Sequence, residues 1–185
     1  MIKKIVRKIF NLKDILSSKT RIFLSVIQSN NVKITGNSTI EKNVTIQASN
    51  NSRIIIENSY ISFGTLIKAD SGGTILIKNS FIGRNCIIVA IDKIEIHENC
   101  AIAEMVVIRD QDHIHDLSDK LIENQGFNSA PIIINSNVWI AAKVTVLKGI
   151  TIKKNAVVGA HCLVTKNIEE SSVHVGIPNR EIKKR

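Results

Sequence analysis

The chain has 185 residues, 44% of them hydrophobic and 22% charged. That length suits one domain with its own core, and that balance excludes intrinsic disorder and collagen-like fibres. Twenty-five Lys and Arg against sixteen Asp and Glu leave a net charge of +9, which points to an anionic partner: a phosphate group, a nucleic acid or a membrane surface.

No run approaches the roughly 20 apolar residues that a spanning helix needs, and the N-terminus lacks the pattern of a secretory leader. Cys86, Cys100 and Cys162 are odd in number and far apart, so they read as small core residues in a reducing, cytoplasmic setting rather than as a disulfide framework. Residues 1–16 carry Ile2, Ile5, Val6, Ile9, Phe10 and Leu12 at helical spacing between Lys3, Lys4, Arg7, Lys8 and Lys13. This spacing predicts a basic amphipathic helix. It either makes peripheral contact with the inner membrane face or plugs the apolar end of the domain behind it. Residues 1–30 are therefore read as helix and lead-in, and 31–185 as the main domain.

That domain is a repeat. Ile134, Ile140, Val146, Ile152, Val158 and Val164 recur every six residues, each followed at the fourth position by Val138, Val144, Ile150, Ala156, Cys162 and Ile168. The same rhythm appears at Ile34, Ile40 and Ile46, at Ile61 and Ile67, at Ile82 and Ile88, and at Ile96, Ile102 and Ile108. Turn-prone residues fall three positions after many of them, at Asn37, Asn43, Gly64, Ser80, Asn85, Asn99, Asn137, Gly149 and Asn155. Neither a helix nor a simple alternating strand has a period of six. One hexad is a short strand and a corner with no core of its own, so three hexads closing a triangular coil, stacked on further coils, make a solenoid with an interior. Spacings of 21, 21 and 20 residues from Ile40 to Ile61, Ile82 and Ile102 read as coils with small loop insertions at corners.

One segment, Arg109 to Ala130, breaks the rhythm; it holds His113 and His115 among Asp110, Asp112 and Asp116. A long loop leaving a rigid scaffold is a usual place for function.

The hexads, with Asn137-Val138-Trp139-Ile140-Ala141-Ala142, Val164-Thr165-Lys166 and Gly176-Ile177-Pro178-Asn179-Arg180, resemble the hexapeptide-repeat acyltransferases of the sugar O-acetyltransferase type. The resemblance runs from about Ile34 to Lys183. It implies a left-handed parallel β-helix, assembled as a homotrimer with sites between subunits; with the helix and the loop read above, the expected fold is all-β, a left-handed parallel β-helix with a short N-terminal helix and one protruding loop. It also implies acetyl-coenzyme A as co-substrate and a sugar or polysaccharide precursor as acceptor; no metal is expected, because no pair of cysteines has ligand spacing.

The Asp-x-Asp-His segment resembles the stretch around the family's general base, which favours His113, with His115 as rival. One of the three nearby aspartates would orient the imidazole, as a carboxylate does in a triad. The resemblance makes Trp139 a wall of the thioester channel and Ala141, Ala142, Gly159 and Ala160 its small lining, with an amide near Ala142 for the oxyanion. Thr165, Lys166, Arg180 and Lys183 would hold the nucleotide end, and Asn85 and Asp92 would face the acceptor. No Ser or Cys forms a nucleophile motif with a His, so direct attack without an acyl-enzyme is expected. A zinc site drawn from His97, His113, His115, His161 and His174, as in carbonic anhydrase-like β-helices, is an alternative, as is a silent structural solenoid. Nucleic acid is disfavoured because aromatics for base stacking are few.

Overall fold

A computed structural model describes residues 16–26, 31–116 and 119–184. The helix predicted over residues 1–16 lies, except for Leu16, outside them. Residues 16–26 are helical (α1), and from Val32 the chain winds as a parallel β-helix of three faces. The first face stacks Val32–Thr35, Arg53–Glu57, Thr74–Lys78, Lys93–Ile96, Ile132–Ile134 and Thr151–Ile152. The second runs from Thr39–Ile40 through Tyr60–Ile61, Phe81–Ile82, Ala101–Ile102, Trp139–Ile140 and Val157–Val158 to Ser172–Val175 and Arg180–Lys184. The third stacks Thr45–Ala48, Leu66–Ala69, Ile87–Ala90, Val107–Arg109, Thr145–Val146 and Leu163–Val164.

Each face places equivalent aliphatics above one another. Ile40, Ile61, Ile82, Ile102, Ile140 and Val158 are in register on the second face, each at most 1% exposed. Backbone bonds run alongside, from Glu41 N–H to Ile61 O (3.0 Å), Ser62 N–H to Ile82 O (2.9 Å), Gly83 N–H to Ile102 O (2.8 Å) and Ala103 N–H to Ile140 O (2.8 Å). Burial of the side chain and pairing of the backbone thus share one period, which is why a short strand with one inward residue suffices. Ile34 and Ile46 of the first coil are only half-buried, because that coil has a neighbour on one side alone.

The corners need left-handed backbone. Between the second and third faces Asn43, Gly64, Asn85, Met105, Lys143 and His161 all have φ between 54° and 72°, a region where Asn and Gly are least penalised. At the preceding edge Gly36 and Asn79 take this conformation, not Asn37 and Ser80 as the spacing predicts. Ser80 is instead buried. Its hydroxyl donates to His97 O (2.7 Å) and accepts from Cys100 N–H (3.0 Å), one rung of a ladder that runs through Ser38 and Ser59.

A second correction concerns the wider early coils. Their extra residues are not surface loops. They lengthen strands such as Leu66–Ala69 and Thr74–Lys78 against the two-residue Thr145–Val146 and Thr151–Ile152, and they bury Ala69, Ala90, Ile75 and Ile94 as additional core. The cysteines are buried as expected; Cys86, donating to Ala103 O at 3.0 Å, has its thiol pushed up to about 11 by burial.

Ile140→Ala should destabilise the chain by about 2–5 kcal/mol, since a fully buried aliphatic leaves a cavity between rigid coils. Urea unfolding of the purified variant checks this.

Candidate active site

The interruption of the rhythm is a β-hairpin. After Val107–Arg109 the chain leaves the solenoid, pairs Gln111–His113 antiparallel with Phe127–Ser129, and re-enters at Ile132–Ile134. The exit is held by Asp110, which is fully buried. Its carboxylate accepts from the backbone N–H of Ile91 (3.0 Å) and of Asp92 (2.9 Å), and its carbonyl accepts from Ala130 N–H (2.9 Å). Burial raises its carboxyl above the ordinary 3.8, and the two backbone donors oppose that shift. Asp110 therefore ties hairpin to solenoid rather than orienting an imidazole.

Both imidazoles are exposed on the hairpin. The His113 ring lies against Phe127, centroids 4.3 Å apart, and His115 Nδ1 is 3.1 Å from His113 O. Asp112 is paired with Lys148, 2.7 Å from its Nζ, and Asp116 is exposed. Among the described residues no carboxylate is paired with either imidazole. The ring of His113 lies against an aromatic neighbour, a contact that follows from the antiparallel register pairing His113 with Phe127.

The other predicted residues fall on three parts of the prism. Trp139 projects outward from the second face, 53% exposed, and shares with Ala101, Asn137, Val157, Val173 and Lys183 an open concavity of about 490 Å³. Ala141, Ala142, Gly159 and Ala160 run along the edge between second and third faces. At Gly159 an added Cβ would meet Val175 Cγ1 at 2.7 Å, so its smallness also serves close packing of the tail. Thr165 lies on the third face in a groove of about 240 Å³ with Arg109, Gln111, Asp112, Leu147 and Lys148, at the root of the hairpin. Lys166 and Arg180 are exposed.

The acceptor candidates have structural roles. Asn85 sits at a left-handed corner, its side chain where a Cβ at Gly64 would fall, 2.2 Å from Oδ1. Asp92 is half-buried and is held through its backbone N–H by Asp110.

In the sequence Asn179 stands out only as part of the Gly176–Arg180 motif. The structure makes it the hub of the C-terminal tail. It is buried, its Oδ1 accepts from the N–H of Thr165 (2.9 Å) and Lys166 (3.2 Å), and its amide nitrogen lies 3.2 Å from His174 Nδ1. The tail then returns as Arg180–Lys184, antiparallel to Ser172–Val175. The buried His174 has its pKa lowered by desolvation, with Glu181 and Glu169 opposing.

The hairpin leaves from the edge between third and first faces, and Trp139 lies on the second face, across the prism. His113, Trp139 and Lys183 of one chain therefore do not converge. The three histidines outside the hairpin are likewise dispersed: His97 lies 3.4 Å from Glu95 on the first face, His161 is at a corner and His174 is inside the second face. Among the described residues no three His, Cys, Asp or Glu side chains cluster to hold a metal.

Asp110→Ala strands two backbone donors and should cost about 2–4 kcal/mol, loosening the hairpin; hydrogen exchange at 111–114 and 126–130, with urea unfolding, checks both. For His174 the folded pKa is depressed, so tail docking is at full strength above its ordinary 6.5 and weakens as pH falls through the folded value. Amides of residues 172–184 should exchange faster as pH, corrected for intrinsic rates, is lowered from about 7.5 to about 5, and His174→Gln should abolish that dependence.

Comparison with known proteins places these features in a context. No family model matches the chain. It is 36% identical over 103 residues to a Mycobacterium tuberculosis protein named as an acetyltransferase, covering 56% of this chain and 34% of that one. It is 36% identical over 99 residues to galactoside O-acetyltransferase of Escherichia coli, covering 54% and 48%. The chain thus spans half or less of the length of these relatives. Among solved structures, AntD, an N-acyltransferase from Bacillus cereus in complex with dTDP-4-amino-4,6-dideoxyglucose and coenzyme A, matches with a TM-score of 0.67 at 20% identity, over 83% of this chain and 82% of that one. The chain is a left-handed hexapeptide-repeat β-helix related in sequence to acetyltransferases.

Proposed function

We propose that the chain is an acetyl-coenzyme A dependent O-acetyltransferase acting on a sugar hydroxyl, with a hairpin imidazole as general base. The observation that carries this reading is the hairpin itself, the one excursion from the solenoid, which presents two exposed imidazoles beside the run that resembles sugar acetyltransferases. A sugar hydroxyl is a poor nucleophile while protonated, and imidazole titrates near neutrality. The base removes the hydroxyl proton as the oxygen attacks the thioester carbonyl. The tetrahedral oxyanion is held by a backbone N–H near Ala142. Collapse expels the coenzyme A thiolate, which takes the proton back from the imidazolium.

The reading requires a homotrimer. Trp139, Lys183 and the hairpin lie on opposite sides of one prism, so a site containing all three takes its base from one copy and its second face from another. The hairpin's exposed Leu121, Ile122 and Phe127, at 66%, 55% and 49%, supply apolar surface for such a contact. Arg180, Lys166 and Lys183 are the cations assigned to the coenzyme phosphates. Asn85 and Asp92 retain an acceptor role in this reading only where their outward atoms meet the neighbouring copy. A cytoplasmic enzyme with peripheral contact at the inner membrane face through residues 1–16 suits a surface-polysaccharide precursor as acceptor.

Thiol release from acetyl-coenzyme A with a panel of sugars is the test. His113→Ala should lose about 10²-fold or more in rate while His115→Ala retains most of it, both remaining folded by circular dichroism. The reverse pattern moves the base to His115, and no sugar-dependent thiol release by the parent overturns the proposal. Trimers mixed from His113→Ala and Trp139→Ala chains should regain part of the parental rate, because some interfaces then pair two intact halves.

A further inference from the structure

The first coil lacks a preceding coil, and α1 takes that place. Ile40 N–H donates to Ser18 Oγ (2.8 Å), Ile40 O accepts from Arg21 Nε (2.8 Å), Ser18 is buried and Ile22 packs against the core. At 100° per residue this inward side is opposite Leu16, Thr20 and Phe23, with Lys19 on the flank. Yet that outward side carries large apolar side chains beside the exposed Lys19 and Thr20: Phe23 is 63%, Leu16 59% and Leu24 49% exposed. A docked helix that leaves three large apolar side chains on its outward side presents a surface for a further partner.

Charge identifies the partner. Nine of the 25 Lys and Arg but only two of the 16 Asp and Glu fall in residues 1–45, so this stretch carries +7 of the net +9. Lys19, Lys33 and Lys42 are exposed around the described end, and Lys3, Lys4, Arg7, Lys8 and Lys13 precede it in the sequence. A second copy meeting this end by two-fold symmetry would bring the same positive charge against itself. An anionic lipid surface satisfies both observations, since it buries apolar side chains and attracts the cations beside them.

We propose that the outward face of α1 docks on an anionic membrane, with the end of the solenoid that it caps turned toward the lipid. The inference extends the membrane contact proposed for residues 1–16 to a surface built into the fold, and it is independent of acyl transfer.

Flotation of the intact chain with phosphatidylcholine vesicles containing about 30% phosphatidylglycerol, and with phosphatidylcholine alone, is the experiment. The chain should float with the anionic vesicles only, and lose most binding in about 1 M salt, where the Debye length is about 3 Å. The triple variant Leu16→Ser, Phe23→Ser, Leu24→Ser should bind at least about tenfold more weakly, with unchanged circular dichroism and unchanged thiol release in the absence of vesicles. Lys19→Gln, which leaves the apolar face intact, should weaken binding by a smaller factor and serves if the triple variant misfolds. Undiminished flotation of the folded triple variant overturns the role of α1, even if replacing the five basic residues at 3–13 by Gln abolishes binding. Failure of the parent to float, or a fall in its oligomeric state caused by the triple variant, also overturns it.

Discussion

The structure depends on one constraint: every coil must satisfy its backbone and bury its aliphatics against the coil above and the coil below. The ladder from Glu41 through Ser62, Gly83 and Ala103 to Ile140 O and the column from Ile40 to Val158 are two results of the same stacking. Because each coil meets only its neighbours, stability is distributed along the axis and concentrated in no single contact. The same rule creates a difficulty at the ends, where a coil has no neighbour. At the start, Ser18 and Arg21 of α1 meet the exposed groups of Ile40. At the finish, Asn179 and the returning strand Arg180–Lys184 cover the last coil. Both caps are polar in the bonds that they make, because what a terminal coil lacks first is hydrogen-bond partners.

A rigid stack tolerates an excursion only where the chain can leave and return without breaking the ladder. Asp110 and Ala130 close that gap: the Asp110 carboxylate holds the previous coil, its carbonyl receives Ala130 N–H, and Ala130 O receives Gly149 N–H of the next coil. The hairpin is thereby fixed at its root, close to the imidazoles. Placing them at one edge and Trp139 on the opposite face separates the candidate residues within a single prism, and the proposed reading draws on a second copy for that reason.

Charge follows a separate logic. Most of the chain beyond residue 45 is nearly balanced, through pairs such as Lys148 with Asp112 and Lys153 with Glu169. Exposed pairs of this kind add little stability. The excess gathers at the end capped by α1, where it adds to an apolar surface instead of diluting it. The two ends of the solenoid are thus chemically different: one basic and greasy, the other a polar clamp around Asn179.

The period of six was legible in the amino-acid order, and with it the solenoid, the inward columns, the buried cysteines and the single interruption, because each of these is set by local spacing that every coil repeats. The lengthened early strands were not, since a residue inserted into a strand and one inserted into a corner give the same spacing. Nor was the role of Asp110, whose partners Ile91 and Asp92 lie a coil away in sequence, or that of Asn179, which joins Thr165, Lys166 and His174. Residue types identified His113, His115 and Trp139 as candidates. Only the folded prism showed that the two hairpin imidazoles and Trp139 lie on different sides of it, because the face a side chain occupies depends on the winding of all the coils before it.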